Sequence, residues 1–322
     1  MKRSILLIFL LALCLRVSAQ IDRSKVPTPG PAPEINIRTG STFELKNGLK
    51  VIVVENHKLP RISFNLVLNY EAILEGDKAG YASIAGDLMR SGTTSKTKAQ
   101  IDEEIDFIGA SLNTSASGIY ASSLTKHSET LLNLMTDILY NPSFPEEELA
   151  KNIKQTLSGL AAQKDDPGSI AANVRRAVLY GKDHPYGELT TEQTVENITV
   201  RDCKDFYNQY FTPGIAYLAI VGDINLKEAK KLTKKHFSRW EGQPIDLPKF
   251  ETSEAPAKTA VALVDRSNSV QSEIRVSYPV DLKKGAPDLV KANLMNVILG
   301  SGFSARLNQN LREKHAYTYG AG

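Results

Sequence analysis

At 322 residues, 42% of them hydrophobic, the chain is long enough to bury a core and to fold as about two domains. Its 39 basic and 36 acidic residues give a formal charge of +3, and that excess lies in the first 19 residues, which hold Lys2, Arg3 and Arg16 and no acid. Without them the charge is balanced, which gives no sign of a nucleic-acid surface, and the one remaining cysteine, Cys203, excludes an internal disulfide.

Lys2 and Arg3, the apolar run Ile5 to Leu15 and the small-residue site Val17-Ser18-Ala19 predict an export signal (1–19) cleaved before Gln20, hence a periplasmic or exported protein. The run is too short to anchor, since a spanning helix needs roughly 20 apolar residues. Leu13 before Cys14 is too bulky for lipidation, and no later segment is apolar enough to span a bilayer. Pro27, Pro29, Pro31 and Pro33 make residues 20–34 an extended tether.

Phe43 to Lys46, Asn47-Gly48 and Leu49 to Val54 predict a hairpin with a tight primed turn. Ile62 to Leu68 follows as a strand. A helix is predicted over 77–90 with Asp77 at its N-cap, and another over Thr97 to Ile108. Leu112–Thr114 and Gly118–Leu124 read as strands, and Ser128 as the cap of a helix carrying Leu131, Leu132, Met135, Ile138 and Leu139 on one stripe. Pro145 opens a helix to about Gln163 and Pro167 another to Leu179. Thr199 caps a helix to about Tyr210, before a strand at Ala216–Val221 and a helix at Leu226–Phe237.

Residues 241–258, with Pro244, Pro248 and Pro256, read as a linker. The pattern then restarts: strands at Ala260–Val264 and Ile274–Tyr278, and a helix at Pro287–Leu299 with Val290, Leu294, Val297 and Ile298 on its apolar face. This repeats the order at 43–90 and predicts an internal duplication, a first domain over 35–240 and the start of a second over 259–322, which stops roughly 60 residues in. The fold class is α+β: two homologous halves, each a mostly antiparallel sheet with helices on one face, the second truncated.

Several stretches, taken in order, resemble the pitrilysin/insulinase metallopeptidases, which include the mitochondrial processing peptidase. They are Leu45 to Val51, Gly80 to Thr93, His184-Pro185-Tyr186-Gly187, Thr212-Pro213 to Val221-Gly222-Asp223, and Gly302 to Tyr319. Active members carry H-x-x-E-H on the first helix, where two histidines one turn apart share zinc and the Glu serves as general base. With Gly80 and Gly92-Thr93 setting the register, that window reads Ser83-Ile84-Ala85-Gly86-Asp87, and both histidines and the base are gone. The distant third ligand falls at Gly159; Glu146, Glu147 and Glu148 are the only carboxylates at that helix's start. Ser83, Gly86 and Asp87 are then expected to be ordinary helix surface. No metal ligand or catalytic residue is assigned, and any zinc is expected on a partner.

The resemblance also implies a surviving half of the chemistry. In two-subunit bacterial members one subunit carries zinc and the other an Arg and a Tyr seven residues apart. Leu311-Arg312 to Thr318-Tyr319 matches, with Arg312 and Tyr319 as substrate-binding donors able to hold a peptide carbonyl, and Tyr317 the rival tyrosine. The implied function is the non-catalytic, peptide-binding subunit of a two-subunit zinc peptidase, partnered by a zinc-bearing chain of the same family. The alternatives are a non-proteolytic envelope scaffold and a zinc peptidase with unusual ligands. Gly300-Ser301-Gly302 lacks the strand and third glycine of a nucleotide loop, and His184 reads as a structural turn.

Overall fold

The computed structural model describes residues 30–31, 39–242, 245–247, 250, 257–267, 269–283 and 285–322. The expected export signal (1–19), nearly all of the expected tether (20–34) and parts of the expected linker (241–258) lie outside them. Six strands make one sheet: β1 (Ser41–Glu44), β2 (Lys50–Glu55), β3 (Arg61–Leu68), β4 (Ser111–Ser115), β5 (Gly118–Leu124) and β6 (Ala216–Gly222), in the spatial order β1-β2-β6-β3-β5-β4. Only β2 and β6 run parallel. The helices are α1 (Tyr81–Leu88), α2 (Lys98–Phe107), α3 (Ser128–Tyr140), α4 (Glu146–Lys164), α5 (Pro167–Tyr180), α6 (Glu192–Glu196), α7 (Val200–Tyr210), α8 (Leu226–Phe237) and α9 (Leu289–Gly300).

The sheet is two-sided by sequence. Along β3, Ile62, Phe64, Leu66 and Leu68 are buried while Arg61, Asn65 and Val67 face outward, the period-2 alternation of a half-covered strand. Val51, Val53, Leu218, Ile220, Ile119 and Ala121 continue the inner face, and α1, α3, α7 and α8 bury their apolar stripes with it in one core. The expected α+β class and mostly antiparallel sheet hold over residues 40–240. Among the described residues no helix is long and apolar enough to cross a membrane.

Local chemistry differs from expectation at several ends. The first hairpin closes with a three-residue loop rather than a primed two-residue turn. The Gly48 amide donates to the Leu45 carbonyl and the Leu45 amide to that of Leu49, and only Gly48 takes positive φ (88°). Asn47 instead sends its amide nitrogen to the carbonyls of Phe237 (2.9 Å) and Trp240 (2.8 Å), tying the loop to the end of α8. Ser128 is the first residue of α3 and not its cap. α6 carries no apolar period in its five residues, so pattern alone does not reveal it.

The second set of elements diverges most. Residues 260–264 and 274–278 form no strand, and Val261, Leu263, Ile274 and Val276 are 81–92% exposed. A strand's amides and carbonyls need a neighbour, and the described residues offer these segments none. The helix predicted at Pro287–Leu299 does form, as α9, with Val290, Leu294, Val297 and Ile298 exposed.

Candidate functional site

Helix α1 holds the window from which the expected zinc residues are missing, so its placement decides what the site can do. It begins after Gly80 (φ 105°), whose left-handed backbone turns the chain from a 3-10 turn at Gly76–Lys78 into the helix. Asp77 sits in that turn and caps nothing on α1; its carbonyl accepts from the Asn197 side chain (2.9 Å). The cap comes from further back. The Glu75 carboxylate accepts from the amides of Gly80 (2.8 Å) and Ala82 (3.2 Å), and Glu188 in turn accepts from the amides of Glu75 (2.9 Å) and Gly76 (2.6 Å). Burial raises the pKa of Glu75, against the pull of those backbone donors. A cap five residues upstream has no sequence signature, which is why the sequence points to Asp77 in its place.

The far end of α1 closes through Met89–Ser91 into Gly92 (φ 155°) and Thr93. Thr93 Oγ1 (2.8 Å) and Ser95 Oγ (2.9 Å) donate to Asp137 on α3, and Asn141 Nδ2 donates to its other oxygen (2.8 Å). Burial pushes the Asp137 carboxyl up, but these donors outweigh it and hold the group below its ordinary value of 3.8. A carboxyl held down in this way stabilises the fold above pH 3.8, and that contribution is lost as pH falls through the folded value. Asp137→Asn is expected to cost about 2 kcal/mol near neutral pH and to flatten the acid limb of stability. Urea melts across the acid range check both.

Within the window, Ser83 and Asp87 are exposed as expected. Burial raises the Asp87 pKa, which disfavours its charged form. Gly86 is different: it is buried against the β4–β5 turn. A Cβ there would lie 2.0 Å from Ala116 N, 2.2 Å from Ser115 C and 2.8 Å from Ala116 Cα. The expectation that Gly86 is relaxed helix surface is therefore wrong; hydrogen is the only side chain that fits. The general-base position is filled by backbone.

The remaining donor set does not fit zinc. Ser83 and Asp87 offer one hydroxyl and one carboxylate. Gly159 on α4 is exposed, and a Cβ there would meet nothing within 4 Å. Glu146 to Glu148 start that helix about 20 Å away along its axis. Glu147 and Glu148 both pair with Lys151 at 2.8 Å. Among the described residues no three His, Cys, Asp or Glu side chains gather as a metal cluster.

Arg312 lies in the π-helical turn Asn308–Lys314. Its guanidinium stacks over Phe303 (4.6 Å), and its Nε is 3.4 Å from the Glu313 carboxylate. Tyr319 is 82% exposed and makes no hydrogen bond or ring contact among the described residues; Tyr317 stacks on His315 at 5.1 Å. The residue that sequence reasoning missed here is Asn308. It is 8% exposed, donates to the Gly302 carbonyl (2.7 Å) and accepts from the Ala321 amide (3.0 Å), clamping the segment that carries Arg312 and Tyr319. His184 packs with Tyr180, Tyr186 and Phe250 at the turn expected of it.

The strand beside the window is an edge. Among the described residues β4 pairs only with β5, and its outer row of amides and carbonyls has no strand partner there. Its last residue, Ser115, abuts Gly86. That edge thus ends against Gly86, the position of the missing general base.

Comparison with known proteins fits this geometry. Residues 50–189 match the family model described as insulinase (peptidase family M16), and residues 197–322 match the peptidase M16 inactive domain. An uncharacterized zinc protease of Rickettsia felis is 26% identical over 292 residues, covering 87% of this chain and 68% of the relative. A Helicobacter pylori protein described as the non-peptidase homolog YmxG is 22% identical over 276 residues, 84% of this chain and 63% of its own length. Among solved structures, a peptidase M16 inactive domain from Pseudomonas fluorescens superposes with a TM-score of 0.76 at 26% identity, covering 88% of this chain and 70% of that one. Two models of one family match almost end to end along residues 50–322, and the chain belongs to the insulinase family, peptidase family M16.

Proposed function

We propose that this chain is the non-catalytic, peptide-holding subunit of a two-subunit zinc peptidase of the cell envelope, with metal, base and water on a partner chain of the same family. The observation that carries the reading is position 86, where backbone occupies the place of the general base while the peptide-holding parts stay open. An extended substrate can add to the free β4 edge through main-chain hydrogen bonds. The exposed Tyr319 hydroxyl and the Arg312 guanidinium are donors for a carbonyl whose oxygen gains charge during cleavage. The Helicobacter pylori relative's description as a non-peptidase homolog, and the match of residues 197–322 to an inactive domain, support the same reading. In this reading residues 35–240 form one peptidase-like domain, 241–258 the linker and 259–322 the start of the second, and the chain works in the periplasm or outside the cell.

The test is reconstitution. A partner peptidase with intact H-x-x-E-H is mixed with this chain and kcat/KM is measured on a peptide. Arg312→Ala and Tyr319→Phe are each expected to lower it by about tenfold to a hundredfold, with complex formation unchanged. Unaltered cleavage in both variants would remove the substrate-holding role. Peptide cleavage by this chain alone, lost to a chelator and restored by zinc, would remove the non-catalytic reading.

A further inference from the structure

Charge balance over the whole chain hides a local segregation on α8. The helix buries Ala229, Thr233, His236 and Phe237 and turns the opposite side to solvent. At helical spacing that outer crest is Lys227, Lys231 and Lys234, all exposed and without an ion pair among the described residues. On the flanks, Lys230 lies over the Phe43 ring (5.6 Å), Arg239 over the Tyr140 ring (4.5 Å), and Lys235 pairs with Glu129. Lys46 is exposed on the first hairpin loop, which Asn47 fastens to the carbonyls at the end of α8. The acids nearby are engaged or peripheral: Glu55 accepts from the Leu226 amide (2.9 Å), Glu228 folds back on the Asn225 amide, Glu129 holds Lys235 and His236, and Glu241 stands beyond Arg239.

We propose that this crest docks the protein on a bilayer surface bearing anionic phospholipid headgroups. The surface is a single helix of about 18 Å with its apolar stripe already spent on the core, so it can lie on a charged plane but has nothing to insert. Lysine supplies mobile point charges on long stems, which suit a fluid array of phosphates and not a fixed, bidentate partner. Lys227, Lys231 and Lys234 bring no aromatic or aliphatic anchor of the kind around which a specific protein interface is built. Charge complementarity therefore favours the headgroup plane, with each lysine adding to the attraction within a Debye length.

The experiment uses the chain from Gln20 onward, which removes the apolar run Ile5 to Leu15 as a competing membrane contact. Co-sedimentation is measured with vesicles of phosphatidylglycerol in phosphatidylcholine and with phosphatidylcholine alone. Binding is expected on the anionic vesicles only and is expected to vanish as salt shortens the Debye length from about 10 Å to about 3 Å. The triple variant Lys227→Gln, Lys231→Gln, Lys234→Gln should partition about a hundredfold less, with unchanged thermal stability, and the corresponding Lys→Arg triple should bind normally. Equal binding to neutral vesicles, or an undiminished Gln variant, overturns the proposal. Capture by an immobilised acidic polypeptide or by duplex DNA without binding to anionic vesicles reassigns the crest and overturns it too.

Discussion

Gly86→Ala is expected to destabilise the folded chain by about 3 kcal/mol or more, read as a lower urea midpoint at unchanged slope. Helix propensity alone predicts the opposite sign, since alanine in a helix interior favours folding over glycine by roughly 1 kcal/mol. The contact decides. The three atoms a Cβ would meet, at 2.0, 2.2 and 2.8 Å, all belong to the Ser115–Ala116 backbone, so no side chain can rotate out of the way. Nor can the turn swing clear, because the Leu68 amide holds the Ser117 carbonyl (2.9 Å) and the Tyr70 hydroxyl holds that of Ala116 (2.8 Å). Ser83→His and Asp87→His, on the exposed face, should change stability by no more than about 0.5 kcal/mol. Restoring the whole motif by adding Gly86→Glu should then bring loss of structure and no stoichiometric zinc, since the base has no room and Gly159 supplies no third ligand. Stability of Gly86→Ala equal to or above that of the parent would mean the closure does not exist.

Gly86 also marks the limit of what sequence can tell. A glycine in a helical window reads as a weak helix position, and nothing local says that a turn thirty residues later lies against it. Elements with strong local chemistry were legible. α7 and α8 start where the pattern predicts, because Thr199 and Asn225 close capping boxes, with Asp202 and Glu228, at the head of strongly two-sided helices. The register of the degenerate motif was legible for a reason unrelated to zinc. Gly80 and Gly92 turn corners at positive φ, and Thr93 is bound to Asp137, so these landmarks serve the fold itself. Strands at 260–264 and 274–278 were expected from alternation alone, which reports what a segment would suit and not whether a neighbour is there to pair with it. At Arg312 and Tyr319 the residue types and spacing were readable, whereas the clamp by Asn308 was not, since it joins residues 302 and 321 through one side chain.

What holds α1 against the sheet should be as costly to remove as what seals it. Phe206→Ala is expected to cost about 4 kcal/mol, the range for deleting a fully buried aromatic ring whose cavity collapses only in part. Phe206 on α7 is 1% exposed, and its ring meets Tyr81 edge-on at 5.8 Å, Tyr70 at 6.5 Å, Tyr210 at 5.0 Å and Phe211 at 6.2 Å. Tyr81 is the first residue of α1, and Tyr70 reaches the Ala116 carbonyl, so one ring supports both the start of the helix and the turn that closes on Gly86. The phenols report on this packing. Burial pushes Tyr70 up to about 12 and holds Tyr81 above the ordinary phenol range as well. In Phe206→Ala, water reaches both rings and their titration should move back toward 10, while Phe206→Leu, which refills most of the volume, should keep it high at a cost nearer 1 kcal/mol. A melt together with a spectrophotometric phenol titration separates the outcomes. Stability lost without movement of the phenols would place the damage elsewhere in the core and leave α1 anchored by something other than this aromatic cluster.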